Sequence, residues 1–154
     1  MRRMTKGAVL ASAAVMLMSS TVSAAETVTY KGMGTYEVMR AVLPLANGSA
    51  AVQFSNDIVA TINPSESGFI FGDCAGLGYL SVEGSYSGDV YCTFTETGDD
   101  SFDIKGTARG DSGSVEIIGG SGKWTGATGK GSIKRKYSAG NRGSYEYEFS
   151  ITTP

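Results

Sequence analysis

Val115-Glu116-Ile117-Ile118-Gly119-Gly120-Ser121-Gly122-Lys123-Trp124-Thr125-Gly126-Ala127-Thr128-Gly129-Lys130-Gly131 is the stretch that decides the fold. An apolar, strand-like run breaks into Gly-Gly-Ser-Gly, meets one aromatic, and resumes through Gly-Ala-x-Gly. Gly119, Gly120 and Gly122 supply positive φ or close backbone approach where a side chain would clash. Trp124, just beyond them, supplies a large apolar plug. Such a block suits a corner or bulge of a closed sheet. The competing reading is a flexible Gly/Ser loop, since 22 of the 154 residues are glycine. Trp124 argues against it.

In order, spacing and residue type, this stretch resembles the allene oxide cyclase and dirigent barrel family. There a strand ends in Gly-Gly-Ser/Thr-Gly, an aromatic follows, and Gly-Ala or Ala-Arg precedes a glycine and a further strand. The likeness is close over residues 114 to 131 and loose over 132 to 152. It implies an all-β fold, a single antiparallel β-barrel of about eight strands of the calycin type. It also implies that a catalytic member works without a cofactor, by shaping a reactive substrate, and that the chain forms a homo-oligomer, since family members are often trimers. No catalytic residue transfers with it, because in that family the glycines shape a barrel corner while the reacting groups lie on other strands.

The rest of the chain reads the same way without the resemblance. From Glu26 onward no window has helical periodicity, whereas short alternating runs rich in Val, Ile, Thr, Tyr and Phe recur between turn signals. Candidate strands run Thr27 to Lys31, Thr35 to Val42, Ala50 to Ser55, Ile58 to Asn63, Gly68 to Gly72, Gly78 to Glu83, Asp89 to Glu96, Ser101 to Arg109, Ser114 to Ile118, Gly131 to Ser138 and Ser144 to Thr152. These are more runs than eight, so some merge. Pro44 and Pro64 mark breaks that a central strand does not accept.

Two hairpins can be set in register. Phe94 opposite Phe102 places Cys92 opposite Ile104 on one face and Tyr91 opposite Lys105 on the other, with the turn at Thr97-Gly98-Asp99. In the last hairpin, Tyr137 opposite Tyr145 aligns Arg135 with Tyr147 and Ile133 with Phe149, and pairs Lys136 with Glu146 and Lys134 with Glu148. The charged pairs then face solvent and the aromatic face turns inward, because a one-residue slip reverses every side chain.

The N-terminus carries Arg2, Arg3 and Lys6, an apolar run from Ala8 to Met18, and small residues before Ala24 and Ala25. That is the pattern of a secretory signal peptide over residues 1–25, leaving a barrel domain over 26–154 in the periplasm or outside the cell. The apolar run falls short of the ~20 residues of a spanning helix, so no membrane anchor is expected. Cleavage after Ala24 removes three of the 13 basic residues and none of the 15 acidic ones, which leaves a net charge of −5. Apart from Lys134-Arg135-Lys136 the basic residues are scattered, so the sequence shows no footprint for nucleic acid or anionic lipid. Cys74 and Cys92 both follow the leader, and an even count in an oxidising compartment favours a Cys74 to Cys92 disulfide over two buried thiols.

The chain contains no His, which removes the usual general base, the Ser-His-Asp and Cys-His nucleophiles and most zinc sites. Neither a P-loop nor a dinucleotide fingerprint is present, and no cofactor or metal is expected. Glu96, Asp99, Asp100 and Asp103 lack the spacing of an EF-hand and read as a solvated turn. What remains is Arg, Lys, Tyr, Asp or Glu inside a cavity. Arg135 is the sharpest candidate, a permanent cation among Tyr137, Tyr145 and Tyr147, suited to a carboxylate or enolate. Buried, it needs either water or an acidic partner. The alternative is an Arg135 stacked at a barrel mouth with its head in water. Arg40 alternates in phase with Tyr36, Val38 and Val42 and has the same two readings. With Trp124, these form the expected ligand-binding set. The catalytic residues stay unassigned.

Three functions fit: a barrel that binds a small apolar or aromatic molecule, a cyclase or coupling-directing enzyme, and a structural barrel filled by its own side chains. Binding ranks first, because a cavity alone suffices for it.

Overall fold

The computed structural model describes residues 25–63, 66–96 and 98–154. The leader segment 1–24 lies outside them, as do Pro64 and Thr97. Eight strands follow in chain order: β1 (Glu26–Pro44), β2 (Ala50–Asn63), β3 (Glu66–Leu80), β4 (Tyr86–Thr95), β5 (Ser101–Arg109), β6 (Ser112–Ser121), β7 (Thr128–Ala139) and β8 (Arg142–Thr153). Each pairs antiparallel with its neighbour in sequence, and β1 closes the barrel on β8. The only helical turn among the described residues is the short 3₁₀ segment Gly122–Trp124.

The surplus of candidate strands resolves by merging. Residues 27–31 and 35–42 are one strand, as are 50–55 and 58–63, and the segments on either side of Cys74. Gly32, Gly34, Gly72, Gly76 and Gly78 look like breaks in the sequence, but they lie on the barrel's inward phase beside large aromatics of neighbouring strands. A side-chain carbon added at Gly72 would stand 2.7 Å from Phe94. Glycine here makes room for a ring, a pairing of inward glycine with a facing aromatic that also curves the sheet. Pro44 does end β1, where no further ladder donor is needed.

The first hairpin has the expected register, Phe94 with Phe102 and Cys92 with Ile104. The last hairpin does not. Arg135 faces Tyr145 and Ile133 faces Tyr147, two residues from the expected alignment, and a bulge at Lys136 then sets Tyr137 against Ser144. The tight turn at Gly140 and Asn141 closes Ala139 on Arg142, and one extra residue in β7 absorbs the difference. Lys136 still pairs with Glu146, at 3.0 Å, whereas Lys31 rather than Lys134 takes Glu148, at 3.0 Å. The Gly-rich corner acts as expected: Gly119 has φ 151° at the end of β6 and Gly122 has φ 57°. The β5 to β6 register shifts at Asp103 and Ile104, opposite Gly119.

Cys74 and Cys92 are disulfide-bonded. Cys74 stands within β3 directly opposite Cys92 in β4, not in a turn, so the bond staples two adjacent strands inside the barrel.

The two ends of the barrel differ. At the end holding the 96–100 turn and the 122–127 corner, Phe94, Phe102, Ile104, Ile117, Phe149 and Ile151 are almost fully buried, with Trp124 beside them. Burying each such side chain contributes about 1.5 to 3 kcal/mol, so this floor is where most of the fold's stability lies. At the other end, the turns 45–49, 81–85, 110–111 and 140–141 surround an open mouth.

Candidate functional site

The interior is filled below and hollow above. Two adjoining hollows of about 180 and 250 Å³ open at the mouth and share Tyr36, Asn56, Tyr86 and Arg135 in their walls. The first is completed by Ile58, Val90, Val115, Ile133, Tyr145 and the 110–113 turn. The second is completed by Val38, Arg40, Val42, Val52, Phe54 and Leu80.

Glycine again decides where the polar groups stand. A side-chain carbon at Gly34 would lie 2.5 Å from the Tyr145 ring, and one at Gly143 would lie 2.5 Å from the Tyr36 ring. The missing side chains let both phenols lie flat against the wall with their hydroxyls in the cavity. Tyr36 and Tyr145 pack at 6.4 Å between centroids, and rings continue downward through Tyr147 and Phe149, 4.7 Å apart, to Phe102 and Trp124, 5.5 Å apart.

Arg135 holds an acidic partner at this mouth. Its Nε donates to Asp111 Oδ1 at 2.8 Å, its Nη2 pairs with the same carboxylate, and the same nitrogen reaches the Gly110 carbonyl at 3.4 Å. The hydrogen bond to Asp111, with a smaller contribution from Tyr36, holds the guanidinium proton even more firmly than usual. The cation is therefore fixed in place and in charge, while its side chain stays 41% exposed toward the cavity opening.

Three polar atoms in the wall have no hydrogen-bond partner although they are buried: Asn56 Oδ1, Tyr86 Oη and Tyr145 Oη. Burial pushes the Tyr145 phenol well above its ordinary range, with Tyr147 adding to the effect, and burial with Asp89 pushes Tyr86 up too. Both are neutral hydroxyls near neutral pH, able to donate or accept. An unpaired buried polar atom costs about 1 to 3 kcal/mol. Here one acceptor and two hydroxyls bear that cost around a single hollow.

The expected ligand set divides accordingly. Arg135, Arg40 and Tyr145 reach the cavity. Arg40 also donates to the Gly140 carbonyl at 3.3 Å across the mouth. Tyr137 does not reach it, since the bulge turns it outward and leaves it 66% exposed. Tyr147 lies one layer lower, where its hydroxyl donates to the Thr61 carbonyl. Trp124 packs into the floor at the opposite end, 5.7 Å from Tyr30, with Lys123 over its ring at 5.1 Å. Sequence reasoning missed Asp111, which reads as a turn residue, and Asn56 and Tyr86, whose inward phase shows only once β2 and β4 are in place.

No protein-family model and no curated protein matches this chain. Solved structures do match it. The pterocarpan synthase dirigent protein GePTS1 is similar over 88% of this chain and 94% of its own, at 18% identity and a TM-score of 0.55. The pterocarpan synthase dirigent protein PsPTS1 is similar over 83% of this chain and 94% of its own, at 12% identity and a TM-score of 0.52. A DUF3224-family protein of unknown function from Shewanella oneidensis MR-1 is similar over 84% of this chain and all of its own, at 16% identity and a TM-score of 0.56. The fold is that of a dirigent-like β-barrel.

Proposed function

We propose that this protein is an exported barrel that binds a small apolar or aromatic molecule in the hollow at its mouth. The observation that carries the reading is the set of unpartnered atoms, Asn56 Oδ1, Tyr86 Oη and Tyr145 Oη, in one largely apolar wall beside Arg135. A ligand with a donor for Asn56 and a polar group for the tyrosines removes the cost of leaving them unpaired, while its rings or chains replace water against Ile58, Val90 and Val115. The disulfide between Cys74 and Cys92 supports the export part, since such bonds persist in oxidising compartments.

Native mass spectrometry of the protein recovered from its own compartment tests both parts. The expected result is a mature chain beginning at Ala25 or Glu26 that carries a retained small molecule, released on unfolding and lost in Tyr145→Phe. A chain that keeps Met1 to Ala24 defeats export, and a barrel that takes up neither a cellular molecule nor a hydrophobicity-sensitive dye defeats binding.

A second reading, cyclase-like or coupling-directing chemistry, is favoured by one observation. The Arg135 to Asp111 pair adjoins the Tyr36 and Tyr145 phenols, so a fixed cation and neutral acids face one apolar hollow, as electrostatic steering of a reactive substrate requires. The similarity to two synthases gives it further support. Conversion of a retained molecule on incubation, abolished in Arg135→Met, separates this reading from simple binding.

A further inference from the structure

The mouth of the barrel is apolar on one side in a way the ligand site does not use. From Ala41 to Asn56 the chain has no charged residue, and this stretch forms the end of β1, the 45–49 turn and the start of β2. Leu43 and Val82 are each 65% exposed, and Val42 and Leu45 are exposed beside them. Two neighbouring turns, 45–49 and 81–85, thus hold aliphatic side chains out at the rim. Such a convex apolar edge calls for an occupant.

Charge is distributed along the barrel to match. Arg40, Arg109, Arg135, Lys136 and Arg142 all stand at the mouth, although they are scattered in sequence. Arg135, Lys136 and Arg142 have carboxylate partners in Asp111, Glu146 and Glu37. Among the described residues Arg40 and Arg109 have none, and Glu83 is the rim acid without a cation. At the closed end Lys123 pairs with Glu96, which leaves Glu26, Asp99 and Asp100 in excess. The molecule is therefore acidic overall but positive at its apolar mouth.

We propose that the mouth end docks on an anionic lipid surface, with the 45–49 and 81–85 turns seated among the acyl chains and Arg40 and Arg109 against the headgroups. The barrel rests on the bilayer rather than crossing it, because Lys31, Lys130, Lys134, Glu146 and Glu148 occupy the outer wall of β1, β7 and β8 and would face lipid. A second copy is the less fitting occupant. Packing on the outer wall of β1 to β3 buries the row Glu37, Asp57 and Asp73, whereas lipid contact at the rim leaves that row in water.

Flotation with vesicles of phosphatidylcholine alone, or mixed with phosphatidylglycerol, tests this. The mature protein should float with the mixed vesicles, about tenfold less with the neutral ones, and less as salt rises. Leu43→Asp and Val82→Asp should each weaken binding by about tenfold, with melting temperatures unchanged because both side chains are exposed. Arg109→Glu should do the same for mixed vesicles only. Three results overturn the proposal: wild-type protein that stays down with mixed vesicles, variants that float as well as wild type, or Leu43→Asp converting an oligomer to a monomer in sedimentation velocity. Docking needs no ligand in the hollow, so it stands or falls apart from the binding reading.

Discussion

Arg135 in β7 and Asp111 in the turn between β5 and β6 are joined across the mouth by a 2.8 Å hydrogen bond from Nε to Oδ1 and by a second contact from Nη2. The Arg135 amide also donates to the Asp111 carbonyl at 2.8 Å, so the pair is fixed by backbone as well as side chain. A cation held this firmly keeps spare donors for a guest at little reorganisation cost.

Arg135→Met keeps the apolar stem and removes the charge. Both partners are substantially solvated, so the ion pair contributes about 0 to 1 kcal/mol and the variant should melt close to wild type. If an anionic or enolic molecule uses Arg135, its affinity should fall by about 1.5 to 3 kcal/mol. Titration calorimetry with the molecule identified by native mass spectrometry checks this, and unchanged affinity leaves Arg135 a structural role alone.

The disulfide joins adjacent strands at a sequence separation of 18. On the chain-entropy account, closing a loop of that size stabilises the fold by about 3 kcal/mol. Thiol labelling of the denatured, unreduced protein should find no free thiol. Denaturant unfolding with and without reductant should show a loss of that order, and equal midpoints would show that the bond adds nothing.

How far the sequence carried can be judged residue by residue. The Gly119 to Gly122 corner and the Phe94 to Phe102 pairing were legible because each depends on local chemistry, one on positive φ and one on a short hairpin. Tyr137 was misplaced because a bulge leaves parity on one side intact and reverses it on the other, and nothing in Arg135-Lys136-Tyr137 announces it. Trp124 was recognised as a plug, yet which end it plugs depends on closure between β1 and β8, a contact between the two ends of the domain. Asp111 became part of the site only when that same closure brought β7 beside β6.

Gly34 tests the claim that absent side chains position the tyrosines. A methyl group there would lie 2.5 Å from the Tyr145 ring, which has no room to retreat because Tyr147 stands beneath it, 6.3 Å away between centroids. Gly34→Ala should therefore cost about 1 to 3 kcal/mol of stability, in the range of an overpacked core. Gly34→Ala combined with Tyr145→Ala should restore part of that loss, since the clash needs both groups. Thermal melts of the two variants and the double variant decide it, and simple additivity would remove the link between them.

The same buried phenols set the alkaline limit of the fold. Burial, with Tyr147 contributing, raises the Tyr145 phenol far above its usual value near 10, and burial with Tyr30 pushes Tyr147 up to about 12. The folded state thus binds these protons more tightly than the unfolded chain does. Below about pH 10 both states are protonated and the full stability is present. Above it the unfolded chain ionises first, so stability should fall progressively as pH rises from about 10 to about 12. Phenolate absorbance should therefore show the exposed Tyr79, Tyr91 and Tyr137 titrating in the folded protein, and a second, cooperative rise coinciding with loss of the β-sheet signal. Tyr145→Phe should move that second step to higher pH, because it removes an ionisation that only the unfolded chain makes freely. A step that stays in place in Tyr145→Phe, or phenolate absorbance that rises completely before the sheet signal changes, would show that Tyr145 is not sealed in the wall as described.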